Sequence, residues 1–302
     1  MAAPHLNTEA EDQLQGLAHE ESQFRQFVRR FARNKLAVTG LVILVILYAV
    51  ALLAPLIASE PQDAPVNLPA RFQPPLSPGH PLGTDNLGRD LLSRMIWGSR
   101  VSLSVGFVAM GVAVLVGTLV GAVAGYYGGT WIDIILMRIA EAIDVIPVFF
   151  LLVTVVAVLK PSVYNIMIVI GITSWPGLAY IVRGQFLSLR QRDFTEASRA
   201  MGATDRRLIF RHILPNAMAP IIVSATLRIG SAILSEAGLS FLGLGAPPPA
   251  ISWGQILSVS RTYLKQAPWL SFWPGLAIFV TVLAFNFVGD GVRDALDPKL
   301  KR

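Results

Sequence analysis

The sequence has no cysteine, few charged residues and only four scattered histidines in 302 residues. Without cysteine, thiolate catalysis, disulfide bonds and cysteine-ligated metal sites are excluded. No HExxH pair occurs, and no GxxxxGK[ST] loop, so we expect the chain not to bind ATP by itself. Charged residues make up 15% of the chain, against about 25% in an ordinary soluble domain. A soluble domain this poor in charge would expose apolar surface to water.

The chain is instead rich in apolar residues. Hydrophobic residues make up 53% of it, and its mean hydropathy is +0.57. A net charge of +6 and a pI near 9.9 are compatible with nucleic-acid binding. The basic residues, however, gather at the ends of hydrophobic stretches and form no separate polar domain. The sequence therefore predicts an all-α integral membrane protein in contact with lipid and not with nucleic acid.

Six stretches are long and apolar enough to form membrane-spanning helices, which need about 20 residues each; they are 36–58, 101–125, 136–159, 163–182, 217–245 and 271–289. The first is too long for the apolar part of a signal peptide, so we expect it to be retained. With the N-terminus inside, the cytoplasmic segments carry 16 Lys and Arg and the external segments carry 7. This excess predicts a multi-pass protein of the bacterial inner membrane with both termini in the cytoplasm.

The spans divide the chain into predicted regions, namely a cytoplasmic tail at 1–35, the first transmembrane helix at 36–58, an external segment at 59–100, a transmembrane core at 101–289 that includes a cytoplasmic loop at 183–216, and a cytoplasmic tail at 290–302. Seven prolines in 59–82 predict an extended strap. Asp85, Asn86 and Asp90 have no EF-hand register, so they are interpreted as a turn and N-cap. They would begin an interfacial helix at about 88–98, with Leu91 on its membrane face.

The cytoplasmic loop carries signals for a short helix–turn–helix. Asp193 is predicted to cap the first helix, with Glu196 reaching back to it in the manner of a capping box. Gly202 suits the left-handed position that ends such a helix. Thr204 offers a second N-cap, and Pro215 is predicted to end the second helix.

Apolar residues form a stripe on each of these two helices. On the first they are Phe194, Ala197, Ser198 and Met201, and on the second Leu208, Ile209 and Ile213. One interpretation is that the stripes rest on the protein's own helix ends or on the lipid interface. The other is that they dock into a partner protein, as a helix does in a groove. The pattern alone leaves both interpretations open.

The loop resembles the EAA loop of binding-protein-dependent ABC importers. The resemblance lies in Glu196-Ala197-Ser198, in Gly202 and in Ile213-Leu214-Pro215, with Ser198 and His212 as departures from the usual pattern. Further strings extend it to most of the chain, namely Gly83 to Asp90, Arg183-Gly184-Gln185, Phe241 to Gly245, Ser252-Trp253-Gly254, and Asn286 to Gly291 through Asp297-Pro298. Together they resemble the C-type permease subunit of the oligopeptide and dipeptide transporters.

The resemblance implies an ABC importer permease fold with six transmembrane helices and a cytoplasmic coupling helix–turn–helix. It implies a second, homologous permease subunit, two cytoplasmic ATPases that bind ATP and Mg²⁺, and an extracytoplasmic peptide-binding protein. This chain would hold no cofactor or metal and catalyse no reaction. Contact with the ATPases would fall to Phe194, Glu196, Ala197, Ser198, Met201, Gly202, Leu208, Ile213, Leu214 and Pro215.

Two alternatives remain open. Related permeases import nickel, glutathione or another small ligand. A stand-alone secondary transporter would require intramembrane carboxylates and inverted repeats, whereas the distinctive features here lie in a cytoplasmic loop. Arg228 and Glu236, both within the fifth predicted span, are candidates for a translocation pathway or for structural pairing.

One glycine pattern predicts close packing and no chemistry. Gly117, Gly121 and Gly125 form two overlapping GxxxG spacings in the second predicted span. Such spacing lets helix backbones approach closely in a membrane.

Overall fold

The computed structural model describes residues 23–58, 66–158, 162–245 and 250–296, and in these ranges the chain is helical, with no β-structure beyond isolated bridges. The ten helices are α1 (Gln23–Arg33), α2 (Lys35–Ile57), α3 (Leu91–Tyr126), α4 (Trp131–Asp144), α5 (Val148–Val158), α6 (Val163–Leu189), α7 (Asp193–Ala200), α8 (Asp205–Phe241), α9 (Trp253–Ser260) and α10 (Trp269–Leu296). Residues 1–22 of the predicted tail at 1–35, residues 59–65 of the predicted strap, and Asp297-Pro298 lie outside the described residues.

Five helices, α2, α3, α6, α8 and α10, are long and apolar enough to cross a membrane. The predicted third span at 136–159 is instead divided between α4 and α5. Pro147 lies at the division, and its ring disfavours a helical conformation for Ile146. The structure therefore confirms the all-α membrane fold and shows that the predicted third span is not one continuous helix but two shorter ones in sequence.

The external segment is folded onto the helix bundle. Asp85 accepts hydrogen bonds from the backbone N–H groups of Leu87 and Arg89 at 2.8 and 2.9 Å, and Asp90 accepts one from the N–H of Ser93 at 2.8 Å. These contacts confirm the predicted turn and N-cap.

The prediction of a separate interfacial helix at 88–98 is wrong, because residues 91–98 are the beginning of the long helix α3. Leu91 was predicted to face the membrane. It is instead buried against Ile256 and Leu270. Capping by Asp90 and an unbroken run of helix-compatible residues let the helix start outside the apolar stretch and continue into it.

Helices α3 and α6 pack closely along the predicted glycine pattern. A Cβ atom at Gly121 would lie 2.5 Å from the carbonyl oxygen of Ala179, and one at Gly125 would lie 2.5 Å from the Cβ of Phe186. Such separations are too short for two packed atoms, so only glycine allows the observed backbone distance. The predicted packing role of the pattern is confirmed.

The last helix, α10, continues through the predicted boundary at 290 as far as Leu296. Helix α1 packs on this end: the ring of Phe31 faces Gly291, and Asn34 donates a hydrogen bond to Asp294 at 3.2 Å. The two ends of the described chain are therefore held together on one side of the bundle.

Candidate functional site

The first helix of the loop, α7, has one buried and one exposed face. The buried face consists of Thr195 and Ser198, whose hydroxyls donate to the carbonyl oxygens of Leu189 and Phe194 at 2.9 and 2.8 Å. The exposed residues of α7 include Phe194, Glu196 and Ala197, and Met201, which follows the helix, is exposed as well. Three members of the predicted apolar stripe therefore face outward, and Ser198 faces the protein.

The predicted capping arrangement of α7 is wrong by one residue. Arg192 occupies the N-cap, Asp193 is the first helical residue, and the N-cap side chain makes no capping hydrogen bond. Asp193 and Glu196 lie in the first turn instead. There their carboxylates face the positive end of the helix dipole, which still favours them.

Gly202 forms the turn between the two helices. Its φ is +83°, and its N–H donates to the carbonyl of Arg199 at 2.9 Å, while the N–H of Ala203 donates to Ser198 at 3.1 Å. The predicted left-handed conformation is confirmed. No atom lies within 4 Å of the position that a Cβ at Gly202 would take. The backbone conformation, and not lack of space, therefore favours glycine here.

The second helix begins after Thr204, as predicted, but does not end at Pro215. A π-helical turn over Leu208–Ile213 leads directly into the segment Leu214–Phe241. The wider turn bonds the N–H of Leu214 to the carbonyl of Ile209, and Pro215 then takes a first-turn position, where its missing N–H costs little. The loop and the following span are thus one continuous helix.

The apolar stripe of the second helix belongs to the core of the protein. Leu208 and Ile213 are fully buried and Ile209 nearly so, in a cluster with residues of α3 and α6 that includes Val182 and Phe186. The prediction that Leu208 and Ile213 contribute contact surface is therefore wrong. Leu214 is partly buried on the same cluster, and Pro215 is exposed. These residues hold the loop to the bundle.

A pair of tyrosines fixes the start of α8. The hydroxyls of Tyr126 and Tyr127 donate to the two carboxylate oxygens of Asp205 at 2.6 and 3.0 Å. The hydrogen bond to Asp205 raises the pKa of the Tyr127 phenol. Arg190 adds a bond to the carbonyl of Tyr126 at 2.8 Å. Sequence reasoning missed this anchor. Its only signal is the tyrosine pair that ends the second predicted span.

A second polar anchor joins α4 to α6. The guanidinium of Arg183 donates to both carboxylate oxygens of Asp133, at 2.6 and 2.7 Å. Arg183 holds the pKa of the Asp133 carboxyl below its usual range, chiefly through this bidentate hydrogen bond. This anchor and the tyrosine anchor hold the elements on either side of α7, namely α6 before it and the start of α8 after it.

We expect Asp205→Ala to lower the melting temperature of the purified protein. Loss of hydrogen bonds to a charged group costs about 1.5–3 kcal/mol where the donors stay buried. Adding Tyr126→Phe to the Asp205→Ala variant should lower the melting temperature little further, because both substitutions break the same hydrogen bond. Differential scanning fluorimetry in detergent measures these shifts, with Tyr164→Phe, which is 74% exposed, as the matched control. Fully additive losses would contradict the assigned bond.

The two intramembrane charges lie apart, and no ion pair joins them. Glu236 is 2% exposed and accepts a hydrogen bond from Ser240 at 2.6 Å. Arg228 is half-buried, and its Nε donates to Ser224 at 3.3 Å. Glu236 is therefore enclosed in the bundle, whereas Arg228 reaches its surface.

Comparisons with known proteins identify the family of this chain. A family described as binding-protein-dependent transport system inner membrane component matches residues 117–302. The chain belongs to this family. Residues 22–75 of this permease also match the N-terminal transmembrane domain of oligopeptide transport permease C. The resemblance stated from the motifs is confirmed, and membership excludes the stand-alone secondary transporter.

Relatives match this permease over nearly its whole length. The dipeptide transport system permease protein DppC of Alkalihalophilus pseudofirmus is 45% identical over 280 residues, which are 93% of this chain and 91% of the relative. The glutathione transport system permease protein GsiD of Pectobacterium atrosepticum is 43% identical over 279 residues, 92% of each chain. A chain of the inward-facing MetNI methionine ABC transporter has the same fold, with a TM-score of 0.56 at 22% identity over 68% of this permease and 97% of that chain.

Proposed function

We propose that this permease imports dipeptides or oligopeptides as the membrane subunit of an ATP-driven transporter, and that α7 and the Gly202 turn couple it to the ATPases. The observation that carries the coupling role is the exposed surface formed by α7 and the adjacent Met201, here called the docking surface. Phe194 is 40% exposed and Met201 82% exposed there. The peptide substrate is supported by the relative that transports dipeptides and by the match to oligopeptide transport permease C.

The proposed complex has three kinds of protein partner. A second, homologous permease completes the pathway, and two cytoplasmic ATPases hold ATP and Mg²⁺. A peptide-binding protein delivers the substrate outside the cell. The exposed apolar side chains of α7 suit insertion into a groove on an ATPase. The permease itself holds and orients the substrate and catalyses no reaction.

The test is purification of the complex in mild detergent from cells that express all its subunits. We expect the second permease and both ATPases to co-purify with this chain. After reconstitution, peptide-loaded binding protein should stimulate ATP hydrolysis and peptide uptake together. Phe194→Ala combined with Met201→Ala should weaken ATPase association at least about tenfold, because two exposed apolar contacts are lost. Unchanged association would contradict the docking surface.

Glutathione is the second candidate substrate, since a relative 43% identical is a glutathione permease. Glutathione is itself a peptide with two free carboxylates, so the same machinery suits it. Direct uptake decides between the two: the reconstituted transporter should take up labelled dipeptide and not labelled glutathione if it serves ordinary peptides, and labelled glutathione and not dipeptide if glutathione is the substrate.

The orientation of the chain can be tested directly, because the natural sequence has no cysteine. We expect cysteine at Ser77 to react with a membrane-impermeant maleimide in intact cells, and cysteine at Ser188 to react only after permeabilisation. The reason is the excess of Lys and Arg on the side that carries 183–216. Labelling at position 188 in intact cells would reverse the orientation.

A further inference from the structure

Arg228 lies in the middle of a membrane-spanning helix without an acidic partner. It is the fifteenth of the 28 residues in Leu214–Phe241. Among the residues that the structure describes, no carboxylate oxygen lies within 4.0 Å of its guanidinium. Resting on the proposed function, we infer that Arg228 binds the carboxylate of the peptide at mid-membrane during transport.

The energetics of a membrane favour this role. A charged side chain at the centre of a bilayer costs free energy unless it meets water, a counter-charge or polar protein groups. A guanidinium presents a planar fork of donors that matches a carboxylate with two parallel hydrogen bonds. In Arg228, only Nε has a hydrogen-bond partner within the described part of the chain, the hydroxyl of Ser224. The two terminal nitrogens are left to bind an anion.

Serines extend the polar surface of α8 beyond Arg228. Ser231 and Ser235 are exposed, and their hydroxyls donate to the carbonyls of Arg228 and Ser231 at 2.7 and 2.9 Å. Each hydroxyl oxygen keeps lone pairs that can accept hydrogen bonds. Peptide N–H groups would find acceptors there, one helical turn apart. The helix thus offers a donor for the carboxylate followed by acceptors for the backbone.

A cavity lies on the cytoplasmic side of Arg228. It has a volume of about 480 Å³ between α6, α8 and α10, and its lining includes Pro220, Ser224 and Arg293. Ser224 is shared by the cavity and the guanidinium of Arg228. Ser224 therefore links the cavity to the arginine. Among the lining residues that the structure describes, which are otherwise mostly apolar, Arg293 is the one cationic residue.

Gly177 on α6 makes room for the guanidinium. A Cβ atom at Gly177 would lie 2.6 Å from one terminal nitrogen of Arg228 and 3.0 Å from the other. Gly177→Ala would therefore displace the end of a flexible side chain and leave the backbone in place. The substitution offers a way to move the guanidinium without removing its charge.

The experiment compares uptake of a dipeptide with that of its C-terminal amide by the complete transporter in proteoliposomes, with the same binding protein throughout. We expect Arg228→Gln to lower uptake of the free acid about 10- to 100-fold, the loss expected for a charge-assisted pair, and to leave uptake of the amide unchanged. Gly177→Ala should act in the same direction by a smaller factor. Arg138→Gln, which removes a 76% exposed arginine, is the matched control.

A second measurement tests access from water. Cysteine at Ser231 and at Ser235 should react with a charged methanethiosulfonate, and the dipeptide should slow the reaction. Cysteine at the buried Ala232 should stay unmodified.

Each outcome decides the inference. Equal loss of acid and amide uptake would make Arg228 a structural residue, and equal retention would remove it from the pathway. Unreactive cysteines at 231 and 235 would show that this face meets lipid or protein. Failure of the unsubstituted transporter to take up any peptide would instead overturn the proposed substrate, a result that is visible before any variant is made.

Discussion

Gly202→Val is expected to abolish coupled transport while the helix bundle stays folded. At φ +83°, a β-branched residue is strained by about 1–2 kcal/mol or more, since the left-handed region crowds its side chain against the backbone. The strain is relieved most easily by turning α7 away from its base. Peptide-stimulated ATP hydrolysis and uptake in proteoliposomes measure the effect, and we expect both to fall below a tenth of the unsubstituted rates.

Gly202→Asn is the matched control for this prediction. Asparagine adopts left-handed conformations more readily than other non-glycine residues, and no atom lies near the added Cβ. We expect most of the activity to remain. If the valine variant transports normally, the turn does not set the position of the docking surface. If the asparagine variant fails as completely as valine, the position is sensitive to any side chain and the conformational argument does not hold.

Gly121→Val is expected to prevent stable folding of the permease. Its Cβ would lie 2.5 Å from a backbone oxygen of Ala179 and 2.7 Å from the Cβ of Val182. Both neighbours belong to one helix, so α3 and α6 must separate along their whole contact. Overpacking of this kind costs about 3 kcal/mol, and loss of the close glycine contact adds to it. Yield after size-exclusion chromatography in detergent, together with the melting temperature, measures the effect.

Gly111→Ala is the matched control for Gly121→Val, because it replaces a glycine of the same helix that makes no close contact. No atom lies within 4 Å of the Cβ that it would add, and alanine is the better helix former. We expect unchanged or slightly higher stability. A folded, active Gly121→Val variant would mean that α3 and α6 can pack at a greater distance than the structure shows.

The long helices could be predicted from hydropathy, because apolar length is what a bilayer selects. The exception is instructive. Residues 136–159 are as apolar as the other predicted spans, but Pro147 divides them into two helices, a local effect that a count of apolar residues does not include. In the same way, α3 begins ten residues before its apolar stretch, since Asp90 caps it outside the membrane.

The loop at 193–215 could be predicted where the backbone conformation of a single residue decides the structure. Gly202 was predicted from backbone stereochemistry, which is local. The fate of Pro215 was not, because a proline ends one helix and begins another with equal ease, and the π turn before it decides which. The burial of Leu208 and Ile213 likewise depends on α3 and α6, which are distant in sequence.

The polar anchors could not be predicted at all. Asp205 lies 79 residues from Tyr126, and Arg183 lies 50 from Asp133. A charge pattern read along the chain reveals i, i+3 or i, i+4 pairs such as Arg138 and Glu141. It does not reveal which distant carboxylate meets which donor.

The continuity of α8 gives the molecule a mechanical lever. The helix is unbroken from Asp205 to Phe241, 37 residues, or roughly 55 Å at the rise of an α-helix. Arg228 lies roughly 35 Å along it from Asp205. A tilt of roughly 10° about the Asp205 end would carry Arg228 sideways by roughly 6 Å, twice the length of a hydrogen bond. If the loop receives its motion from an ATPase, as proposed, a tilt of this size would be long enough to detach the substrate from its carboxylate contact.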